Sequence, residues 1–70
     1  MATLSISNRE IEIIRKIAEG LNTFEISQAL FISPMTVKTH RKNIIRKAGV
    51  RNMAQLVHFA WSRGLMRAID

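Results

Sequence analysis

Residues 22–49 read NTFEISQALFISPMTVKTHRKNIIRKAG and predict a short helix, a tight turn and a longer helix. Asn22, followed three positions later by Glu25, is the capping-box pattern that begins a helix. Ser33-Pro34 begins the longer helix, because serine is a favoured N-cap and proline at the first helical position needs no N–H partner. Gly49 can take the left-handed conformation that ends a helix. These signals place the two helices over residues 23–31 and 34–48.

A further helix is predicted before this pair. Ser7 and Glu10 form another capping box, and Gly20 ends a helix over residues 8–19. The apolar residues that follow a helical period are Ile11, Ile14, Ile17, Ala18 and Leu21.

A fourth helix is predicted after the pair. Asn52 and Gln55 repeat the capping-box pattern, and a helix over residues 53–63 ends before Gly64. The residues expected to face inward from this helix are Met53, Leu56, Val57 and Ala60. Since no segment alternates apolar and polar residues with a period of two, we expect an all-α domain without a sheet.

The residues around the central turn predict how the second and third helices pack. Ser27 is small and lies where the two helices would cross. The second helix should turn Ile26, Ala29 and Leu30 inward, and Phe24 and Phe31 are expected to seal the gap to its neighbours.

The third helix has one narrow apolar side and one broad polar side. At about 100° per residue, Val37, Ile44 and Ala48 lie within a narrow stripe, with His40 and Ile45 beside it. The opposite side carries Met35, Thr36, Lys38, Thr39, Lys42, Asn43 and Arg46. That side carries no acid, and no acidic residue occurs anywhere between Glu25 and Asp70.

Composition narrows the class of partner. The chain has 70 residues, 11 Lys and Arg against 5 Asp and Glu, and a net charge of +6. An excess of positive charge on so small a domain favours a polyanion, nucleic acid first and an anionic membrane surface second. The longest unbroken apolar stretch, residues 29–32, is too short for a membrane span or a secretory signal. We therefore expect a soluble, cytoplasmic chain.

Catalytic and metal-binding functions are not expected. There is no cysteine, and His40 and His58 lie far apart without a nucleophile or an orienting carboxylate at a recognisable spacing. We expect His40 to be packed and His58 to lie on the surface. No cofactor is predicted.

A polar helix face can be merely solvated, but such faces usually mix both charge signs. Lysine and arginine can contact phosphates, and threonine, asparagine and lysine can reach base edges in a major groove that admits one helix. Free N–H groups at helix starts also bind phosphate, which makes Thr23 and Ser33 candidate contacts. The pattern therefore favours DNA binding by a helix-turn-helix arrangement.

Seven short motifs of the chain resemble the LuxR-type helix-turn-helix domain, the GerE-like DNA-binding module of quorum-sensing activators and of response regulators of the NarL/FixJ group. The resemblance covers about residues 4–66. These motifs are Ser7-Asn8-Arg9-Glu10, Ile17-Ala18-Glu19-Gly20, Glu25-Ile26-Ser27, Leu30-Phe31-Ile32-Ser33, Thr36-Val37-Lys38-Thr39-His40, Asn43-Ile44 and Lys47-Ala48-Gly49-Val50.

The resemblance implies four helices, with the third as the recognition helix in the major groove and the fourth as a dimerisation helix. It makes Lys38, Thr39 and Lys42 the expected readers of bases or phosphates. The residues expected to support them on the DNA backbone are Thr36, Asn43 and Arg46.

Four positions depart from the family pattern. Ser27 replaces a usual alanine, Ala48 a usual leucine, and Met53 an arginine that would have contacted phosphate. Arg41 replaces a leucine beside the inward stripe, so it must extend to solvent, pair with an acid such as Glu10, or reach a phosphate.

The fourth helix has a second apolar side. Its members are Ala54, His58, Trp61 and Leu65. Trp61 and Leu65 either complete a thin core or form a two-fold contact between copies. Because the patch is small, we expect a monomer in dilute solution that becomes a homodimer on double-stranded DNA with an inverted repeat.

Two other functions remain open. The chain could be a protein-interaction or dimerisation module of a regulator without its own DNA affinity, although such a module would not need a cationic third helix. Four capped, interrupted helices are not what a cationic amphipathic peptide on membranes would have.

The DNA-binding function also implies a role at promoters. Bound there, the domain would recruit or block RNA polymerase, either as the effector domain of a longer regulator or as a free-standing regulator.

Overall fold

The computed structural model describes residues 6–64, which form four helices and no strand. The helices are α1 (Asn8–Ala18), α2 (Thr23–Leu30), α3 (Pro34–Ala48) and α4 (Met53–Ser62). The all-α prediction is confirmed, and α1, α2 and α4 each end one residue earlier than predicted.

The core lies where the four helices meet. The completely buried apolar residues are Ile13, Ile14, Ile26, Val37, Ile44, Leu56 and Ala60. Each helix contributes at least one of them. Three expectations for the inner faces were wrong. Ile13 belongs to the core although the predicted stripe omitted it, and Ala29 of α2 is exposed. Ala18, expected inward on α1, is exposed as well.

The predicted capping boxes of α1 and α2 are present. In α1 the Ser7 hydroxyl accepts from the Glu10 amide at 3.1 Å, and the Glu10 carboxylate accepts from the Ser7 amide at 2.9 Å. Both bonds have equivalents in α2, each 2.8 Å long.

The predicted box of α4 is only half formed. Asn52 caps the amide of Gln55 at 2.8 Å, but the Gln55 side chain accepts from the amide of Arg51. The longer reach to Arg51 replaces the bond to Asn52 that the pattern predicts.

A partly buried ion pair connects the beginning of α1 to the end of α3. The Glu10 side chain is 5% exposed and accepts from the Lys47 ammonium at 2.8 and 3.0 Å through its two oxygens. Burial by itself would raise the pKa of Glu10, but the hydrogen bonds from Lys47 and the Ser7 amide outweigh it and leave the pKa lowered. The acid that Arg41 was considered for is thus paired with Lys47.

The turn between α2 and α3 depends on a residue without glycine's freedom. Phe31 ends α2 in the left-handed region at φ +58°, and Ile32 donates to the carbonyl of Ser27 at 3.0 Å. The Phe31 side chain is 94% exposed and that of Phe24 is 59% exposed. The expectation that these phenylalanines seal α2 against its neighbours was wrong, because both rings point into solvent.

One side-chain hydrogen bond lies within α2, and a second joins α2 to α3. Ser27 is buried and its hydroxyl donates to the carbonyl of Phe24 at 2.6 Å, so the hydroxyl needs no partner on α3. Arg41 on α3 donates to the Thr23 hydroxyl at the start of α2, also at 2.6 Å. Arg41 therefore does not pair with Glu10 but bonds across the two helices, and its contact with a phosphate stays a prediction.

Candidate nucleic-acid interface

The broad polar side of α3 faces away from the core. We name it the α3 outer face. Its residues are Met35, Thr36, Lys38, Thr39, Lys42, Asn43 and Arg46, all exposed except Asn43, which is half-buried. Val37 and Ile44, on the opposite side of the helix, are completely buried. The apolar seam fixes the rotation of α3 about its axis and therefore fixes which side chains can meet a partner.

Acids of the described residues do not neutralise the cations of the α3 outer face. Within residues 6–64, neither Lys38 nor Lys42 takes part in an ion pair. Arg46 donates to the amide oxygen of Asn43 at 2.6 Å, a neutral partner that orients the guanidinium without cancelling its charge.

The acids of the described chain lie on other elements. They are Glu10 and Glu12 on α1, Glu19 directly after α1, and Glu25 on α2. Three ion pairs within residues 6–64 use Glu10 and Glu12 of α1 and Glu19 directly after it, so the negative charge is partly neutralised there. The α3 outer face is therefore a surface of one sign, which suits a polyanion.

The beginning of α3 adds polar groups to this surface. Ser33 caps the helix by accepting from the Thr36 amide at 3.1 Å, and the two hydroxyls lie 2.9 Å apart. Both residues are exposed, but their hydroxyls are occupied with each other. Near this end the Met35 amide lacks an intrahelical acceptor, as helix geometry requires, and can donate to an anion.

Thr23, the other predicted phosphate contact, lies at the beginning of α2 and is less exposed than Ser33. Thr23 is half-buried, and its hydroxyl accepts from Arg41. Asn22, and not Thr23, caps the helix. The structure therefore brings a guanidinium to this helix start, and Arg41 becomes a candidate contact that the predicted site did not include. The sequence signal for this role was the arginine at position 41, where LuxR-type domains usually have leucine.

The predicted dimerisation surface lies on α4. Ala54, His58 and Trp61 are exposed, whereas Leu65 lies outside the described residues. Trp61 is 60% exposed and so does not complete the core; Phe59 packs there, with the Arg63 guanidinium 4.8 Å from its ring centre. A shallow groove beside these residues is lined by Val50, Ala54, Gln55, His58, Phe59 and Ser62.

The described residues contain neither a cluster of metal ligands nor a membrane-spanning helix. Residues 6–64 contain no group of three or more potential metal ligands and no helix long and apolar enough to cross a membrane. His40 is half-buried and His58 is exposed, each on a different helix.

The comparisons with known proteins agree with this geometry. Residues 4–60 match the GerE family model, which is described as bacterial regulatory proteins of the luxR family. The chain belongs to the luxR family. It is a DNA-binding helix-turn-helix domain of transcription regulation, of the kind found as the effector domain of response regulators, and it is not an enzyme.

Several known proteins are similar to this chain. The oxygen regulatory protein NreC of Staphylococcus aureus is 38% identical over 61 residues, which are 87% of this chain and 28% of NreC. The response regulator ChrA of a heme-sensing two-component system is 37% identical with a TM-score of 0.84, over 93% of this chain and 32% of ChrA. The transcription factor GerE is 34% identical with a TM-score of 0.81, over 84% of this chain and 88% of the GerE chain. The chain thus spans about a third of NreC or ChrA but most of the GerE chain.

Proposed function

We propose that the domain recognises a specific sequence of double-stranded DNA by placing α3 in the major groove. The observation that carries this proposal is the α3 outer face, an exposed, acid-free surface on a helix whose other side is fixed in the core. Lys38, Thr39 and Lys42 lie near the middle of that face and contact bases or phosphates. Thr36, Asn43 and Arg46 support them on the DNA backbone.

The helix starts contribute backbone contacts. With the Ser33 hydroxyl occupied in capping, the beginning of α3 binds phosphate through its free amide and the helix dipole. At the beginning of α2, Thr23 and Arg41 bind a second phosphate together, since the hydroxyl holds the guanidinium in place.

The salt dependence of duplex binding tests the role of α3. Each neutralised phosphate contributes about −0.9 to the slope of log K against log salt. We expect Lys42→Ala to weaken binding. If the ammonium contacts the DNA backbone, the slope should become shallower by about 0.9, the contribution of one phosphate. If it contacts a base, the substitution should cost about 1–3 kcal/mol of binding free energy. The matched control is Lys16→Ala, which removes one positive charge from α1, where Lys16 pairs with Glu19.

A base-contact role for Thr39 has its own readout. We expect Thr39→Ala to relax sequence preference at one position of an operator selected from random duplexes, with little change in the salt slope. Should the Lys42, Thr39 and Lys16 variants all bind that operator as the parent does, α3 is not the recognition helix. If the parent itself binds no duplex, the chain acts as a protein-interaction module instead.

We also propose that two copies bind an inverted repeat through α4. The exposed Ala54, His58 and Trp61 support this contact, which would continue to Leu65. A patch of this size favours a monomer at low concentration and a dimer on DNA. Analytical sedimentation of the free chain and of its DNA complex measures the oligomeric state of each. Inserting about five base pairs between half-sites, half a helical turn, should abolish paired binding, whereas about ten should restore part of it.

In the cell, we propose that the domain acts on promoter DNA in the cytoplasm and recruits or blocks RNA polymerase there. The identification of the family and the likeness to NreC and ChrA support a regulatory role, and the chain spans only 28% of NreC and 32% of ChrA. Transcription from a promoter that carries the selected operator, with the parent or the Lys42→Ala chain, distinguishes recruitment from blocking by the sign of the change.

A further inference from the structure

The α3 outer face contains one large apolar side chain among its polar residues. Met35 is 69% exposed and is the only strongly exposed large hydrophobic residue on α3; the others on the described chain are Phe24, Phe31 and Trp61, on other elements. It contributes nothing to the core, so its packing in the free domain does not account for an apolar residue at this position.

The position of Met35 on the helix is specific. It precedes Thr39 by four residues and Lys42 by seven, and such spacings place side chains on one stripe of a helix. Met35 is also the second residue of α3, and helical side chains lean toward the N-terminus. It therefore extends this stripe at its leading end, where helix-turn-helix domains contact base edges with the first residues of their recognition helix.

We propose that Met35 contacts the C5-methyl group of a thymine and so contributes to the sequence preference of the domain. This inference rests on the proposed placement of α3 in the major groove. The thymine methyl is the one apolar group that the base edges present in that groove, and an apolar side chain is its complement. The unbranched thioether of methionine adapts readily to the position of such a group.

A protein partner would be the other occupant for an exposed methionine. The neighbours of Met35 on its stripe argue for DNA, because Thr39 and Lys42 make the same surface polar and cationic. An apolar protein surface placed there would bury the Lys42 ammonium, which has no ion-pair partner within residues 6–64.

Replacing thymine by deoxyuridine tests the proposal, because this change removes only the methyl group. An operator is selected from random duplexes with the parent chain, and each thymine is replaced in turn. We expect one replacement to weaken binding of the parent about fourfold, the effect of burying about one methyl group. Met35→Gln should bind the thymine and deoxyuridine duplexes equally at that position, whereas Met35→Leu should keep most of the difference.

Lys42→Ala is the control for a general loss of affinity: it should bind more weakly yet keep the discrimination against deoxyuridine. Helical content of each variant, measured by circular dichroism, confirms that the fold is retained. The proposal is wrong if no thymine replacement affects the parent, or if Met35→Gln discriminates as the parent does. A parent chain that selects no duplex at all would instead overturn the proposed function.

Discussion

The ion pair between Glu10 and Lys47 connects the beginning of α1 to the end of α3, and Glu10→Gln tests its contribution to stability. Glutamine has nearly the same shape, and its amide oxygen can still accept the Ser7 amide, so the cap of α1 is retained. What is lost is the charge that accepts from the Lys47 ammonium at 2.8 and 3.0 Å. The substitution thus isolates the electrostatic part of the contact.

The burial of the two side chains sets the expected magnitude. Removing one partner of a fully buried pair costs about 3–5 kcal/mol. The Lys47 side chain, however, is 37% exposed against 5% for Glu10, so water screens the ammonium and the cost falls to about 1–2 kcal/mol. In a domain of this size, a loss of ~1.5 kcal/mol lowers Tm by about 6–12 °C.

Thermal and urea unfolding, followed by circular dichroism at neutral pH, measure this loss. The matched control is Glu12→Gln, the same chemical change in an exposed pair with Arg9 3.3 Å away, for which we expect less than about 0.5 kcal/mol. Equal effects of the two substitutions would mean that the burial of Glu10 does not matter, and the reasoning from exposure would be wrong.

The pH dependence gives an independent check on Glu10. Because its pKa is lowered in the folded chain, the folded state binds fewer protons than the unfolded state as the carboxyl titrates. The stabilisation is therefore complete above the unfolded pKa, near about 4.3 for glutamate, and is lost as the pH falls through the lower folded pKa. The parent should lose its advantage over Glu10→Gln below about pH 4. A difference that stays constant down to pH 3 would exclude a charge effect.

Three further predictions concern backbone strain and charge. Phe31→Gly should raise the free energy of unfolding by about 0.5–1 kcal/mol in urea, since φ is +58° and the exposed ring loses little packing. Gly49→Ala should lower the free energy of unfolding by about 1 kcal/mol, because φ at this residue is +70°; the added Cβ itself would meet no other atom. If Phe31→Gly destabilised the chain and Gly49→Ala stabilised it, the strain argument would be wrong. Raising salt from about 50 to 300 mM should stabilise the free chain slightly, by screening repulsion among the cations of the α3 outer face. An unfolding midpoint that falls with salt would contradict this.

Much of the fold was accessible from local sequence signals. Capping boxes at Ser7 and Asn22, together with Ser33-Pro34 and Gly49, predict helix limits because each satisfies backbone groups within a few residues of itself. The side of α3 that is buried also follows from its sequence, since Val37 and Ile44 are apolar on a helix otherwise rich in cations.

The features that escaped prediction depend on distant partners or on a choice between equivalent local ones. Arg41 meets Thr23 and Lys47 meets Glu10 only after the helices have packed. Gln55 could accept from either of two successive amides, and only the local backbone decides between them. Phe31 in a left-handed conformation contradicts residue preference, and the tight turn imposes it.

The positions of the acidic residues affect both the stability of the domain and its proposed binding to DNA. Lys47 at the end of α3 neutralises Glu10, whose buried carboxylate would be costly without a positively charged partner. Within residues 6–64 no acid pairs with Lys38 or Lys42, because Glu25, the carboxylate of the adjacent α2, caps the beginning of its own helix. A carboxylate placed beside the two lysines would relieve their repulsion. Such a carboxylate would also compete with phosphate for the same ammonium groups. In the proposed binding mode, DNA would remove a repulsion that the free domain keeps, so acids introduced near the α3 outer face should relieve this repulsion most directly and weaken DNA binding most.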